Sequence, residues 1–352
     1  MKKAIITVVM LVFFAQAMAF AQNTRWAEVR VYYTPFRGIE SSKTVYVQAI
    51  DQRNAEGLAI IKFQGQYTLF SPPVTRTIFV RWFAEGEYEQ IQKEQLIWNH
   101  IEKGVSFYNQ SNWDSAITEF TEAIRLSSND AILYFNRGSA YFAKSDWNRA
   151  ITDYTQAIRL DSKNAVYYNM RGNAYYSKND YNRAITDYNQ AIRFGANDAT
   201  SYGNRARAYY DKKDWNRAIA DYTQAIQRDA NYVGYYSFRG SAYYQKKDWD
   251  HAIADSTEAI RLALNNTDKA SYYNTRAAAY NQKRDWDRAI TDATEAIRLD
   301  SNFANPYRWR ANAYIQKGNF TQARTDVNRA LQINPNYADA KTLDAELRRR
   351  GY

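Results

Sequence analysis

Six arginines recur at one fixed place in this sequence: Arg137, Arg171, Arg205, Arg239, Arg276 and Arg310. Sixteen residues after each stands an aspartate: Asp153, Asp187, Asp221, Asp255, Asp292 and Asp326. A cation that repeats together with its countercharge reads first as an internal ion pair joining two elements of one structural unit. Half-buried pairs of this kind add specificity more surely than stability. The competing reading is a row of ligand-binding arginines. Arg149, Arg183 and Arg217 stand four residues before three of the same aspartates. On a helix, that spacing predicts that they compete for those carboxylates on a solvated face.

Little else in the chain is suited to chemistry. Of 352 residues none is cysteine and two are histidine, His100 and His251. Without cysteine, disulfides, thiolate metal sites and cysteine nucleophiles are excluded. The two histidines stand far apart, and His251 occupies the place of Arg149 and Arg183 in other copies of the pattern, as a surface substitution does. No phosphate loop, His-Glu metal motif or nucleophile elbow is present. The sequence offers no catalytic residue, metal ligand or cofactor site, and the expectation is a protein that is not an enzyme.

The elements that carry the charges follow from a period. An aromatic residue recurs at Trp113, Trp147, Tyr181, Trp215, Trp249, Trp286 and Phe320, spaced by 34, 34, 34, 34, 37 and 34 residues. Alanine follows three residues later in every copy (Ala116 to Ala323) and again seven residues after that (Ala123 to Ala330). A fixed period in this range is the signature of a solenoid, whose repeats bury their apolar faces only against neighbours. Tyr134, Arg137, Gly138 and Tyr141 share one face of a helix. After a break at Lys144 to Asp146, a second helix capped by Asp146 buries Trp147, Ala150, Ile151, Tyr154, Ala157 and Ile158. Each period is thus an antiparallel helical hairpin.

These hairpins resemble the tetratricopeptide repeat. The second copy supplies Tyr134, Gly138, Tyr141, Ala150, Tyr154 and Ala157 of that pattern; the last supplies Tyr307, Ala311, Tyr314, Ala323, Ala330 and Pro335. The resemblance covers seven repeats, 97–130, 131–164, 165–198, 199–232, 233–266, 270–303 and 304–337, followed by a capping helix over 338–352. The sequence departs from the family pattern where arginine replaces the leucine before the glycine, and where Ser256, Ala293 and Val327 replace the second-helix aromatic. The latter change points to looser packing in the C-terminal half.

Before 87 the grammar differs. Val29, Val31 and Tyr33 alternate with polar neighbours, as do Val45 and Val47, and short runs follow at Leu58 to Gln64, Tyr67 to Phe70 and Thr75 to Phe83. Period-two alternation broken by Gly and Pro reads as a small β-rich module over 22–86. At the start, Lys2 and Lys3, an apolar run from Ala4 to Phe14 and a small-residue region read as a secretory signal over 1–21. No stretch is long enough to span a bilayer. The expected fold is mainly α, a right-handed α-solenoid of helix-turn-helix repeats preceded by the β-rich module, in an exported protein that is periplasmic or extracellular.

The formal charge of +10 falls to +8 without Lys2 and Lys3 and is spread thinly. That balance permits an acidic partner but shows no clustered stripe of the kind nucleic acid needs. The resemblance implies that the first helix of each hairpin lines a concave groove for a protein or peptide. The face beside the buried one carries Phe135 and Phe142, then Asn169, Asn173 and Tyr176, then Arg207 and Tyr210, then Tyr244, Asn274, Asn281, Arg308 and Asn312. Family members that clamp a C-terminal carboxylate use lysines there; this face has Asn173 and Arg207 but no lysine. The expectation is a scaffold in the cell envelope that binds a partner peptide or protein. Alternatives are binding of an envelope carbohydrate or polyanion, or self-stacking as a structural spacer.

Overall fold

The computed structural model describes residues 6–7, 25–33, 41–49, 68–69, 78–82 and 87–352. The chain divides into two units, Met1–His100 and Ile101–Tyr352. In the first, β2 (Arg25–Tyr33) lies between β3 (Ser41–Ala49) and β5 (Ile78–Trp82), antiparallel to both. Val29 stands opposite Val45 on one side and Val80 on the other. β1 (Ile6–Thr7) pairs with β4 (Thr68–Leu69). The strand expected at 58–64 lies outside the described residues, as does the expected signal sequence apart from Ile6 and Thr7.

From Glu87 onward the described residues are helical hairpins. The first helices are α1 (Glu87–Asn109), α3 (Ala131–Ala143), α5 (Ala165–Ser177), α7 (Ala199–Asp211), α9 (Val233–Gln245), α11 (Asn266–Gln282) and α13 (Ala304–Gln316). The second helices are α2 (Trp113–Leu126), α4 (Trp147–Leu160), α6 (Tyr181–Arg193), α8 (Trp215–Arg228), α10 (Trp249–Leu262), α12 (Trp286–Leu299) and α14 (Phe320–Ile333), and α15 (Ala338–Arg349) follows. The recurring aromatic opens every second helix. Asp146, Asp180, Asp214 and Asp285 each accept the backbone N–H three residues on, satisfying a donor of the first turn. The turn before the cap needs one left-handed residue, filled by Ser145, Asn179, Lys213, Lys247 and Arg284 in successive repeats.

All fourteen recurring alanines are fully buried, so the second helices meet their neighbours through methyl groups. The glycines of the first helices receive the second-helix aromatics: a Cβ on Gly172 would lie 2.7 Å from the Tyr188 ring, and one on Gly104 2.6 Å from Phe120. Where Ser256 replaces the aromatic, the helices keep the same approach: a Cβ on Gly240 would lie 3.1 Å from the Asp255 Cβ, against 3.2 Å from one on Gly138 to the Asp153 Cβ in a repeat that keeps its aromatic. A Cβ on Gly240 would stand 3.5 Å from the Ala252 carbonyl oxygen, and Ser256, Ala293 and Val327 are all buried. The expected loosening is therefore not found at this contact.

The arginine ladder is structural. Each ladder arginine meets its aspartate through two N–H···O bonds of 2.7–2.9 Å. Its remaining nitrogen reaches Thr121, Thr155, Asn189, Thr223, Thr257 or Thr294 on the preceding second helix. One guanidinium thus joins three helices, its planar fork matching the carboxylate. The expected competition by Arg149, Arg183 and Arg217 does not occur. They turn back to Asp146, Asp180 and Asp214, the cap aspartates three residues earlier. Asp153, Asp187 and Asp221 face inward, with both oxygens taken by the ladder.

Candidate functional site

Successive first helices approach one another along the array more closely than successive second helices do. In a curved stack, the elements that crowd together lie on the inside, so the first helices form the inner face. The ladder arginines on these helices are neutralised, which leaves that face with few charges.

The expected inner-face residues divide by what they touch. Phe135 lies 5.9 Å from Tyr154 and 5.2 Å from Tyr167 of the next repeat, and Phe142 sits edge-on to Trp147 at 4.9 Å. Both rings fill space within and between hairpins. Asn281 is buried; it donates to the Trp309 carbonyl at 3.2 Å and accepts from Asn312 at 3.0 Å. Asn169 donates to Ser201 at 3.0 Å, and Asn173 accepts from the Tyr188 hydroxyl at 2.8 Å and from Asn204 at 3.3 Å. These amides tie neighbouring repeats together. Arg308 lies over Trp309 at 3.4 Å and pairs with Asp339 at 2.9 Å.

Two groups remain open. In the fourth repeat Arg207 is exposed and lies over the Tyr176 ring at 5.0 Å. The Tyr176 hydroxyl donates to Asp211, and burial together with that anionic partner raises its pKa. Further along, Tyr210, Tyr244 and Asn274 come together with Ser241, Gln245 and Trp309 around a cavity of about 230 Å³. It is lined from four successive first helices, α7, α9, α11 and α13. Burial raises the pKa of both Tyr210 and Tyr244, so their hydroxyls stay neutral donors across the physiological range. The cavity therefore offers aromatic surface, amides and hydroxyls, with no carboxylate in its lining. Such a surface holds a neutral chain by stacking and by hydrogen bonds.

Sequence reasoning missed Asp211, Gln245 and Trp309. Trp309 carried a readable signal, being a tryptophan within the repeats that stands off the recurring aromatic position. Asp211 replaces an uncharged residue, Ala143, Ser177, Gln245, Gln282 or Gln316, at the end of the other first helices.

Family models described as tetratricopeptide repeats match residues 203–266 and 304–337, and one described as a TPR repeat matches 104–145, 138–179 and 172–212. Together they span more than half of the chain. No curated protein matches it. Among solved structures, the C-terminal part of a TPR repeat-containing protein from Cytophaga hutchinsonii is 18% identical with a TM-score of 0.59, over 69% of this chain and 98% of that one. A tetratricopeptide repeat protein from Parabacteroides merdae is 19% identical with a TM-score of 0.51, over 71% and 97%. A chain of the APC/C hetero-tetramer Cut9–Hcn1 is 17% identical with a TM-score of 0.50, over 69% of this chain; this chain spans 48% of its length. At these identities the likeness is one of fold alone.

Proposed function

The chain belongs to the tetratricopeptide repeat family, whose repeats serve as protein-interaction scaffolds, and from that premise we propose that it binds an extended segment of a partner protein along the inner face of repeats three to seven. The observation that carries this reading is the cavity lined by Tyr210, Tyr244, Asn274 and Trp309 across four first helices. Its lining combines ring faces for side chains with amides for a peptide backbone. The charges nearby are few: Arg207 lies over the Tyr176 ring, Asp211 of opposite sign accepts from the Tyr176 hydroxyl, and Arg308 is paired with Asp339. A face so nearly neutral suits a peptide better than a polyanion. Because the helices are already fixed by the ladder, little ordering entropy is lost on binding.

The work is non-catalytic in this reading and uses no cofactor. The segment over 1–21 directs export, and the partner belongs to the cell envelope or its surroundings. Among the described residues no helix is long and apolar enough to cross a membrane.

The test is affinity capture from the native envelope fraction with the parent protein beside the variant Tyr176→Ala/Arg207→Ala/Tyr210→Ala. A defined protein recovered by the parent and lost with the variant supports the inner face as the binding site. Equal recovery by both removes it.

A further inference from the structure

A second feature lies where each first helix turns into its second. From α3 to α13 every first helix ends at a lysine: Lys144, Lys178, Lys212, Lys246, Lys283 and Lys317. These lysines face the second residue of the preceding repeat's second helix. At three places that residue is aspartate, and Lys144–Asp114, Lys283–Asp250 and Lys317–Asp287 form ion pairs. At the three places between, it is asparagine: Asn148, Asn182 and Asn216. Lys178 and Lys212 donate to the neutral amides of Asn148 and Asn182, and Lys246 shares a cavity with Asn216. The outer repeats show that aspartate fits this position. Asparagine in the middle therefore leaves lysines charged where the fold itself would accept their neutralisation.

Two more lysines strengthen the same stretch. Lys213 and Lys247 occupy the left-handed turn residue, with φ of 63° and 61°. The backbone there favours Asn or Gly, so lysine is not what the turn requires. Of the carboxylates of these turns, Asp180 pairs with Arg183, Asp214 with Arg217 and Asp250 with Lys283, while Asp248 is hydrogen-bonded to His251 and Asp211 to the Tyr176 hydroxyl. Lys178, Lys212, Lys213, Lys246 and Lys247 are exposed, and among the described residues none forms an ion pair. Lys212, Lys213 and Lys246 border a cavity of about 320 Å³ with Trp215 and the Arg217-paired Asp214, and Lys178 and Lys212 border another of about 300 Å³ with Tyr181 and the Arg183-paired Asp180.

We propose that this turn edge of repeats three to five is a second binding surface, which takes a linear phosphate-bearing polyanion with phosphate groups seated in the two cavities. The free cations are all lysines, compact point charges that suit phosphate oxygens. The arginines of the same turns, Arg183 and Arg217, whose forks suit carboxylate and phosphate alike, are already paired with Asp180 and Asp214. The lysines recur in register on successive repeats, so the charge is presented as a row that a polymer can follow. None of these residues belongs to the inner face, and the surface stands or falls independently of it.

The test is fluorescence anisotropy of labelled inorganic polyphosphate with the full chain, titrated between about 50 and 300 mM salt. With all five lysines engaged, the slope of log K against log salt is expected near about −3.5, taking about 0.7 per charge as for single strands. The variant Asn148→Asp/Asn182→Asp/Asn216→Asp gives the middle repeats the ion pairs that the outer ones have. It is expected to keep its Tm, to bind at least about tenfold more weakly and to show a slope near about −1.4. Lys213→Ser/Lys247→Ser, at exposed turn positions, is expected to bring the slope to about −2.1, and keeps the test open even if the first variant unfolds. Lys144→Gln/Lys317→Gln is expected to bind as the parent does. Unchanged binding by both middle-repeat variants overturns the proposal, as does an equal loss on changing Lys144 and Lys317. Equal affinity for polyglutamate overturns the phosphate assignment. Binding to phosphatidylglycerol vesicles without binding to soluble polyphosphate overturns the polymer.

Discussion

Tyr188 donates its hydroxyl to Asn173 at 2.8 Å, from the second helix of its repeat to the inner face of the first. In the preceding repeat Tyr154 does the same to Ser139 at 3.3 Å. One repeat further on, Tyr222 occupies the corresponding place, but the residue in the acceptor's position is Arg207, which cannot accept. The Tyr222 hydroxyl is buried and has no hydrogen-bond partner within the protein. The chain has forgone an internal hydrogen bond to set an exposed cation on the inner face, an exchange that stability alone does not favour.

Opposite effects are therefore expected from the same substitution in adjacent repeats. Tyr222→Phe removes an unsatisfied buried hydroxyl and should stabilise by about 1 kcal/mol. Tyr188→Phe breaks a satisfied bond and should destabilise by about 1 kcal/mol. Thermal melts of the two variants beside the parent decide the matter. Losses of equal size at both positions would show that Tyr222 has a partner after all.

Gly172 should not tolerate a methyl group. Its Cβ would lie 2.7 Å from the ring of Tyr188, which is itself buried and has little freedom to move. Gly172→Ala is expected to destabilise by about 2 kcal/mol through overpacking. The last repeat pairs Ala311 with Val327 at the same two places, both fully buried. Gly172→Ala/Tyr188→Val should accordingly be less destabilised than the two single changes added together. Strict additivity would mean that the methyl group and the ring do not meet.

Period, caps and ladder were legible in the sequence because each repeat restates them. Asp146 caps its helix and Arg137 finds Asp153 through geometry internal to one hairpin. The partner of Arg149 was misread because helical spacing alone ranks Asp153 and ignores direction. Asp153 points inward and is saturated by Arg137, while the cap carboxylate of Asp146 lies beside the first turn. On the inner face, spacing identified which residues stand next to the buried stripe. It could not show that Phe135 packs on Tyr167 or that Asn281 bonds to Trp309, since both contacts depend on how one repeat is rotated against the next. The exchange of Asp114, Asp250 and Asp287 for Asn148, Asn182 and Asn216 was visible in the aligned repeats, but its meaning needed the lysine of the following repeat to be placed beside it.

The ladder pairs are largely buried, with side-chain exposures of 18% for Arg205 and 9% for Asp221. Removing one partner leaves the other unmatched. Asp221→Ala is expected to destabilise by about 3 kcal/mol. Replacing both, as in Arg205→Met/Asp221→Leu, should recover most of that loss, because the desolvation of both charges disappears along with their attraction. Urea denaturation of parent, single and double variants measures the difference. A double variant no more stable than the single one would show that Arg205 is needed for its bond to Asn189 as well.

The cap aspartates should give the array an acid-sensitive component. Asp180, Asp214 and Asp285 have pKa values lowered from the usual 3.8, first by the side-chain hydrogen bonds from Arg183, Arg217 and Arg288, with backbone N–H groups adding to the effect. A carboxyl whose pKa is lower in the folded state stabilises the fold above the unfolded value, and that contribution is lost as pH falls through the folded one. Asn can accept the same cap hydrogen bond but neither titrates nor pairs with arginine. Asp180→Asn/Asp214→Asn/Asp285→Asn should therefore melt below the parent at pH 7. The gap should narrow as pH falls below about 3.8 and the parent's own caps become protonated. A gap that stays constant from neutral pH to about pH 2 would mean that the charges on these caps contribute nothing and that the hydrogen bond to the backbone is the whole of their effect.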